Sequence, residues 1–249
     1  MKTAAVDMHC DTISALLEMR RKGTYSAGSG LSSNSLHVDL EKLEKGGYLL
    51  QNFALFVALS ACDDPFRECT ALADLYYEEL EKNKDRIRPV YHYEDIEKNR
   101  AEGKLSALLT VEEGGVCKGR LGNLRLLYRL GVRMLTLTWN FPNELGWPNV
   151  RMREKDSGAA PDFTTPDGEH GLTETGFAFL TEMERLGMIV DVSHLSDAGF
   201  WDVARTANKP FVASHSNARA VCGHVRNLGD DMIRALAEKG GVTGLNFCP

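Results

Sequence analysis

Short and almost wholly apolar runs alternate along this chain with segments in which apolar residues recur every three or four positions. Such runs are typical of strands covered on both faces, and such recurrence is typical of amphipathic helices. Together with the apolar start of the chain, the runs predict seven strands, at residues 4–12, 49–59, 106–112, 133–139, 188–194, 210–215 and 241–247. The recurring segments predict helices at residues 71–82, 121–130, 174–186, 196–205 and 230–239.

The regular alternation of strand and helix predicts a parallel sheet built of strand–helix units. The helix at residues 174–186 has clear boundaries, because Thr173 can cap its first turn and Gly187 can end its last. No repeat or low-complexity linker interrupts the pattern, so we predict a single domain over residues 1–249. An open doubly wound sheet and a closed (β/α)8 barrel both satisfy this pattern.

Polar residues at the predicted strand ends favour the barrel. His9 and Asp11 lie two positions apart at the end of the opening run, so on a strand both side chains would point the same way. Glu112, His194 and His215 each end another apolar run. The top face of a (β/α)8 barrel brings the ends of all strands to one point, whereas the crevice of an open sheet uses mainly two loops.

These residue types indicate a metal site, because imidazole nitrogens and carboxylate oxygens are common ligands of divalent metals. Two neighbouring carboxylates cannot both face the barrel axis, and we assign the inward position to Glu112 and a supporting one to Glu113. One bridging carboxylate with His9 and Asp11 on one side and two histidines on the other would make a two-metal site. Such a site activates a water and polarises a carbonyl or phosphoryl group.

Composition and charge bear on the partners and the compartment that we expect for this protein. The 249 residues are 43% hydrophobic and carry a formal net charge of −6, with no dense lysine and arginine cluster, so we expect no nucleic-acid partner. We expect no membrane partner, because no apolar run reaches spanning length and none resembles a signal peptide. The six cysteines form no C-x-x-C pair, which favours reduced thiols and a cytoplasmic protein.

Seven short motifs are spread over nearly the whole chain: DMHCDT (7–12), VEEGG (111–115), LGVRMLTLT (130–138), GLTE (171–174), LGMIVDVSH (186–194), SHS (214–216) and RN (226–227). In this order they resemble the motifs of the membrane (renal) dipeptidase family of binuclear zinc metallopeptidases, in its bacterial cytosolic branch.

The resemblance implies two Zn²⁺ ions and a dipeptide substrate with a free C-terminal carboxylate. His9 and Asp11 would hold one ion, and Glu112 would bridge it to the second and serve catalysis, with a metal-bridging hydroxide attacking the peptide bond. The second ion would be held by the remaining two ligands, His194 and His215.

Arg226 would bind the substrate carboxylate, a role that suits the planar guanidinium fork. Mammalian-type members have a histidine after Thr-Leu-Thr, whereas this chain has Trp139, which we expect in the wall of the substrate pocket. The lost histidine's contribution would then be absent or come from elsewhere, such as Asn140 or Asn143, and we count Asn143 among the substrate-binding residues. The long segment 140–171 is expected to cover the mouth of the barrel.

The family's last strand, with an aspartate associated with proton transfer, has no counterpart, so we expect a barrel lacking its last helix and strand. Two other functions stay open. One is another amidohydrolase-type metal hydrolase, which the absence of an opening His-x-His and of a lysine on the fourth strand disfavours. The other is a catalytically inactive metal-binding protein. A homodimer also stays open.

Overall fold

A computed structural model describes residues 4–25, 30–150 and 161–247. The chain forms two compact units. The N-terminal unit comprises Met1–Val111 with Leu130–Arg133, and the C-terminal unit comprises Glu112–Arg129 with Met134–Pro249. The single domain over residues 1–249 stays a prediction.

The N-terminal unit is built around parallel strands that follow the order β1, β2, β4, with the short β3 paired to the start of β4. Its elements are β1 (Ala5–Asp7), α1 (Thr12–Arg21), α2 (Leu40–Gly46), β2 (Tyr48–Phe56), a 3₁₀ turn (Leu59–Ala61), α3 (Pro65–Lys82), β3 (Ile87–Pro89), α4 (Tyr93–Ala101) and β4 (Leu105–Glu112). Every residue of β4 is buried, as expected of a strand covered on both faces. The rings of Phe53 and Tyr76 pack between β2 and α3, with their centroids 5.9 Å apart.

The C-terminal unit continues the same alternation, with parallel strands in the order β5, β6, β7, β8. Its elements are a 3₁₀ turn (Gly114–Cys117), α5 (Leu121–Arg129), β5 (Met134–Thr136), α6 (Glu174–Leu186), β6 (Ile189–Asp191), α7 (Asp197–Thr206), β7 (Val212–Ala213), α8 (Asp230–Glu238) and β8 (Val242–Thr243). Phe200 of α7 packs edge-on against Phe211, which precedes β7, with ring centroids 5.7 Å apart. Parallel strands alternate with helices in both units, which confirms the predicted α/β class of the TIM-barrel type.

The predicted boundaries hold best where a local signal marks them. Helix α6 spans the predicted residues; the Thr173 hydroxyl accepts a hydrogen bond from Gly176 N at 3.0 Å, and Gly187 ends the helix with φ +77°. All seven predicted strands are present, but most are shorter than their apolar runs. The apolar patterns do not predict β3 or the helices α1, α2 and α4, and α3 begins six residues before the predicted start, at Pro65.

Two sequence expectations are settled only in part. The five cysteines among the described residues are free, and Cys248 lies outside them. Residues 151–160 of the predicted mouth-covering segment also lie outside the described residues. Among the described residues, no helix combines the length and apolar character needed to cross a membrane.

Candidate metal centre

His9 and Asp11 lie in the turn between β1 and α1 of the N-terminal unit. The strand ends at Asp7, whose carboxylate accepts a hydrogen bond from His9 N at 3.1 Å. The expected strand alternation is therefore wrong for this pair, because the chain leaves the sheet before it reaches His9. Asp11 already occupies the N-cap position of α1, with φ −96° and ψ 20°. The turn nevertheless brings the two side chains together, with His9 Nε2 3.6 Å from Asp11 Oδ1.

Cys10, between these two residues, has a packing role. Its backbone oxygen accepts a hydrogen bond from Ala54 N of β2 at 3.0 Å, which fixes the turn against the sheet. Burial raises the pKa of the Cys10 thiol to about 12. The thiol is therefore protonated at neutral pH in the metal-free chain.

The turn after β4 gives the two neighbouring glutamates different surroundings. Glu113 has φ +92°, an unusual conformation for a non-glycine residue, and the chain reverses there. Gly114 is required next, because a Cβ at that position would lie 2.7 Å from the backbone oxygen of Leu137. Glu112 and Glu113 are 4% and 1% exposed, so both are buried, but they make separate sets of contacts.

Glu112 is the carboxylate that meets the histidines. Its Oε1 lies 2.9 Å from Nε2 of His194 and 3.7 Å from Nε2 of His215, and the two Nε2 atoms are 3.0 Å apart. These three side chains belong to the C-terminal unit. The prediction that Glu112 faces the histidines therefore agrees with the geometry of this unit.

Glu113 instead supports the neighbouring turn. Its carboxylate accepts hydrogen bonds from Gly115 N at 2.9 Å, from Asn143 Nδ2 at 2.5 Å and from Trp139 N at 3.3 Å. Burial raises the pKa of Glu113 to about 7, although these three N–H donors favour its ionised form. The contacts tie the turn after β4 to the turn after β5.

Asn143 serves the same turn with both ends of its amide. Its Nδ2 donates to Glu113 and to the backbone oxygen of Leu137, and its Oδ1 accepts from Leu145 N at 2.7 Å and Gly146 N at 3.2 Å. Four internal hydrogen bonds use the capacity of an asparagine amide. Asn143 thus supports the turn in this structure, and its contact with substrate stays a prediction.

The backbone at His194 is strained. His194 has φ +71°, and non-glycine residues in this region cost on the order of 1–3 kcal/mol and cluster at functional sites. Asn149 N holds this conformation by donating to the His194 backbone oxygen at 2.8 Å. Trp139 lies beside the site, half-buried, with its ring centroid 6.5 Å from that of His194 and 5.9 Å from that of Phe141.

The hydrogen bonds behind the two imidazoles decide which nitrogen each offers to a metal. His194 Nδ1 lies 2.8 Å from Asn140 Oδ1, an acceptor, which favours a proton on Nδ1 of this imidazole. His215 Nδ1 lies 2.8 Å from the Ser214 hydroxyl. The Nε2 atoms of both histidines face Glu112 Oε1. A divalent cation among them would stabilise this arrangement, so the residues fit a metal site.

Arg226 lies next to this cluster in the C-terminal unit. It is half-buried, and its Nη2 donates to the His215 backbone oxygen at 3.3 Å. A partly buried network supports its loop: Asn149 Nδ2 donates to Val225 O and to Asp197, each at 2.7 Å, and Arg219 pairs with both oxygens of Asp197 at 2.7 Å. Sequence reasoning assigns no role to these supporting residues, because nothing in their spacing distinguishes them from surface polar residues.

The fold and this donor set define an α/β protein of TIM-barrel type in which imidazole and carboxylate groups meet. The sequence model of the family described as membrane dipeptidase, peptidase family M19, matches residues 1–249. The chain belongs to that family.

Curated relatives and solved structures agree with this assignment. A Klebsiella pneumoniae protein described as uncharacterized is 37% identical over 65% of this chain, and an uncharacterized dipeptidase of Schizosaccharomyces pombe is 30% identical over 97%. The matched segments span 56% and 58% of those two relatives, so this chain corresponds to somewhat more than half of their length.

Two solved structures match almost the whole chain at 28% identity. One is a Rhodobacter sphaeroides metallopeptidase liganded with a phosphinate mimic of the dipeptide L-Ala-D-Ala, with a TM-score of 0.83 over 98% of this chain and 74% of the other. The second is the family M19 metallopeptidase dipeptidase AC, with a TM-score of 0.84 over 99% of this chain and 73% of the other.

Proposed function

We propose that this chain is a zinc-dependent dipeptidase that hydrolyses dipeptides with a free C-terminal carboxylate. The observation that carries the proposal is the approach of His194 Nε2 and His215 Nε2 to Glu112 Oε1, in a member of family M19. A dipeptide mimic was bound by the similar Rhodobacter sphaeroides metallopeptidase, which supports a substrate of this size.

The proposed centre holds two zinc ions with five side chains. Glu112 would bridge the ions, His194 and His215 would hold one of them, and His9 and Asp11 would hold the other. When bound, the ions supply an activated water and polarise the scissile carbonyl. With the protons of His194 and His215 on Nδ1, towards Asn140 and Ser214, their Nε2 atoms would bind metal without a change of tautomer.

Two further side chains would select the substrate. Arg226 is held beside His215 and would bind the substrate's C-terminal carboxylate through its guanidinium fork. Trp139 would form an apolar wall beside His194. A substrate that lacks the carboxylate would not make this bidentate contact with the guanidinium, so the site would discriminate against it.

Two general properties of the chain bear on its compartment and its partners. The free cysteines of the described residues support a reducing compartment, and we therefore propose a cytoplasmic protein. A net charge of −6 supports a small-molecule substrate and no nucleic-acid partner.

The test compares dipeptides that have a free C-terminal carboxylate with the same dipeptides amidated at that end. Both hydrolysis and binding are measured on the zinc-loaded chain, the latter by calorimetry. We expect free dipeptides to be cleaved and amidated ones to bind poorly. Arg226→Lys should weaken binding of free dipeptides by about 1–3 kcal/mol, the range for a lost hydrogen bond to a charged group.

Arg205→Lys, the same substitution on an exposed arginine of α7, serves as the matched control and should leave binding unchanged. Equal binding and equal hydrolysis of free and amidated dipeptides would contradict the role of Arg226 in substrate recognition. A chain that binds zinc without cleaving any dipeptide would instead be the catalytically inactive metal-binding protein.

A further inference from the structure

A buried carboxylate, Asp191, lies behind His215 and is fully engaged in hydrogen bonds. Asp191 is the last residue of β6 and is 0% exposed. Its Oδ1 accepts from Ser193 N at 3.0 Å and Ser214 N at 2.9 Å. Its Oδ2 accepts from the hydroxyls of Thr136 and Ser214, each at 2.6 Å. The carboxylate therefore joins the ends of three neighbouring strands, β5, β6 and β7.

These contacts leave the Ser214 hydroxyl one available arrangement. A carboxylate can only accept hydrogen bonds, so the single Ser214 proton points to Asp191. The Ser214 oxygen must then accept from His215 Nδ1, 2.8 Å away. Ser193 Oγ completes the set by accepting from His215 N at 3.1 Å.

We propose that Asp191 is a positioning residue that fixes the tautomer and orientation of His215 through the Ser214 hydroxyl. The chain of hydrogen bonds keeps the imidazole proton on Nδ1 and directs Nε2 towards Glu112. Partners of this kind behind a metal-binding histidine orient the ring and raise its basicity. This inference deepens the proposed function, because it concerns a proposed zinc ligand, but its tautomer claim needs neither metal nor substrate.

Thr136 also holds the Asp191 carboxylate in position. Its hydroxyl donates to Asp191 Oδ2 from β5, on the side away from β7. The carboxylate is thus held from both neighbouring strands and cannot turn away from Ser214. Backbone N–H groups on Oδ1 restrain it further.

The first experiment is nuclear magnetic resonance of ¹⁵N-labelled imidazoles in the metal-free chain. The parent should show His215 protonated on Nδ1. Ser214→Ala removes the acceptor and should shift His215 towards the Nε2-protonated form, whereas Ser214→Thr keeps a hydroxyl and should restore the Nδ1 form. Ser216→Ala is the matched control, because its buried hydroxyl has no hydrogen-bond partner among the described residues.

The second experiment measures zinc affinity of the same four proteins by competition with a chelator. Ser214→Ala should bind zinc about 10–100-fold more weakly than the parent, and the Thr and Ser216 variants should lie close to the parent. A parent with His215 protonated on Nε2 would overturn the inference. So would a Ser214→Ala protein with the parental tautomer and zinc affinity.

The two experiments separate this inference from the proposed function. A chain that shows the predicted tautomers but cleaves no dipeptide would uphold the role of Asp191 and contradict the dipeptidase. An active dipeptidase in which Ser214→Ala changes neither the His215 tautomer nor the zinc affinity would contradict the role of Asp191 and uphold the dipeptidase. Circular dichroism of each variant shows whether the fold is kept before either result is interpreted.

Discussion

Replacing Glu113 by glutamine should remove a pH dependence from the stability of the metal-free protein. Burial raises the pKa of this carboxyl from its ordinary value of 4.5 to about 7, despite the N–H groups of Gly115, Trp139 and Asn143. Between these two pH values the folded chain keeps a proton that the unfolded chain has lost. The free energy of unfolding therefore falls as pH rises through this window and is level on either side of it.

The magnitude follows from the two pKa values. One pKa unit corresponds to about 1.4 kcal/mol, so a carboxyl that titrates at about 7 instead of 4.5 costs the folded state about 3 kcal/mol above pH 7. Glutamine has no such titration. The difference in stability between Glu113→Gln and the parent should thus move in favour of the variant by about 3 kcal/mol from pH 4.5 to pH 7.5.

The assay is urea unfolding of both chelator-treated proteins at a series of pH values. Comparing slopes cancels any constant loss that glutamine causes by presenting an amide to N–H donors. Glu81→Gln makes the same substitution at an exposed position and should follow the parent at every pH. Parallel curves for the parent and Glu113→Gln would show that burial does not hold this carboxyl protonated.

Two other substitutions test hydrogen-bonded side chains, one in each unit. Glu79 is 1% exposed. Burial alone would raise the pKa of its carboxyl, but hydrogen bonds to the carboxylate, among them one from Leu31 N, hold this pKa below its ordinary value. Glu79→Gln should therefore lower the free energy of unfolding at pH 7, and the loss, followed by urea unfolding, should shrink as pH falls through the folded-state pKa. Asn149→Ala should loosen the loop of Arg226 and raise KM for free dipeptides more than it lowers kcat, and steady-state kinetics that show the opposite split would contradict the supporting role.

Local patterns predict what depends on local chemistry. The two Ser-His pairs at strand ends identify His194 and His215 correctly as neighbours, because the ends of adjacent parallel strands meet at one edge of a sheet. The cap at Thr173 and the glycine at Gly187 locate α6 for the same kind of reason. Strand β3 has the sequence Ile-Arg-Pro and lacks the apolar run that marks the other strands, so sequence reasoning misses it.

Features that depend on contacts between distant segments are not predictable in this way. His9 and Asp11 come together through a turn instead of a strand, because α1 begins directly after Asp11. Asn143 faces Glu113, 30 residues earlier in the chain, and so supports a turn where sequence reasoning expects a substrate contact. The contacts of Asp191 with Thr136 and Ser214 likewise join three strands that no spacing rule connects.

We propose that Glu112, and not its neighbour Glu113, bridges two zinc ions. The most direct test is the zinc content of the purified chain and of the matched variants Glu112→Gln and Glu113→Gln, by elemental analysis with protein quantified on the same samples. We expect two zinc ions in the parent and in Glu113→Gln, and loss of both in Glu112→Gln, because a neutral amide cannot bridge two cations. Full zinc content in Glu112→Gln together with loss in Glu113→Gln would show that Glu113 is the bridging residue.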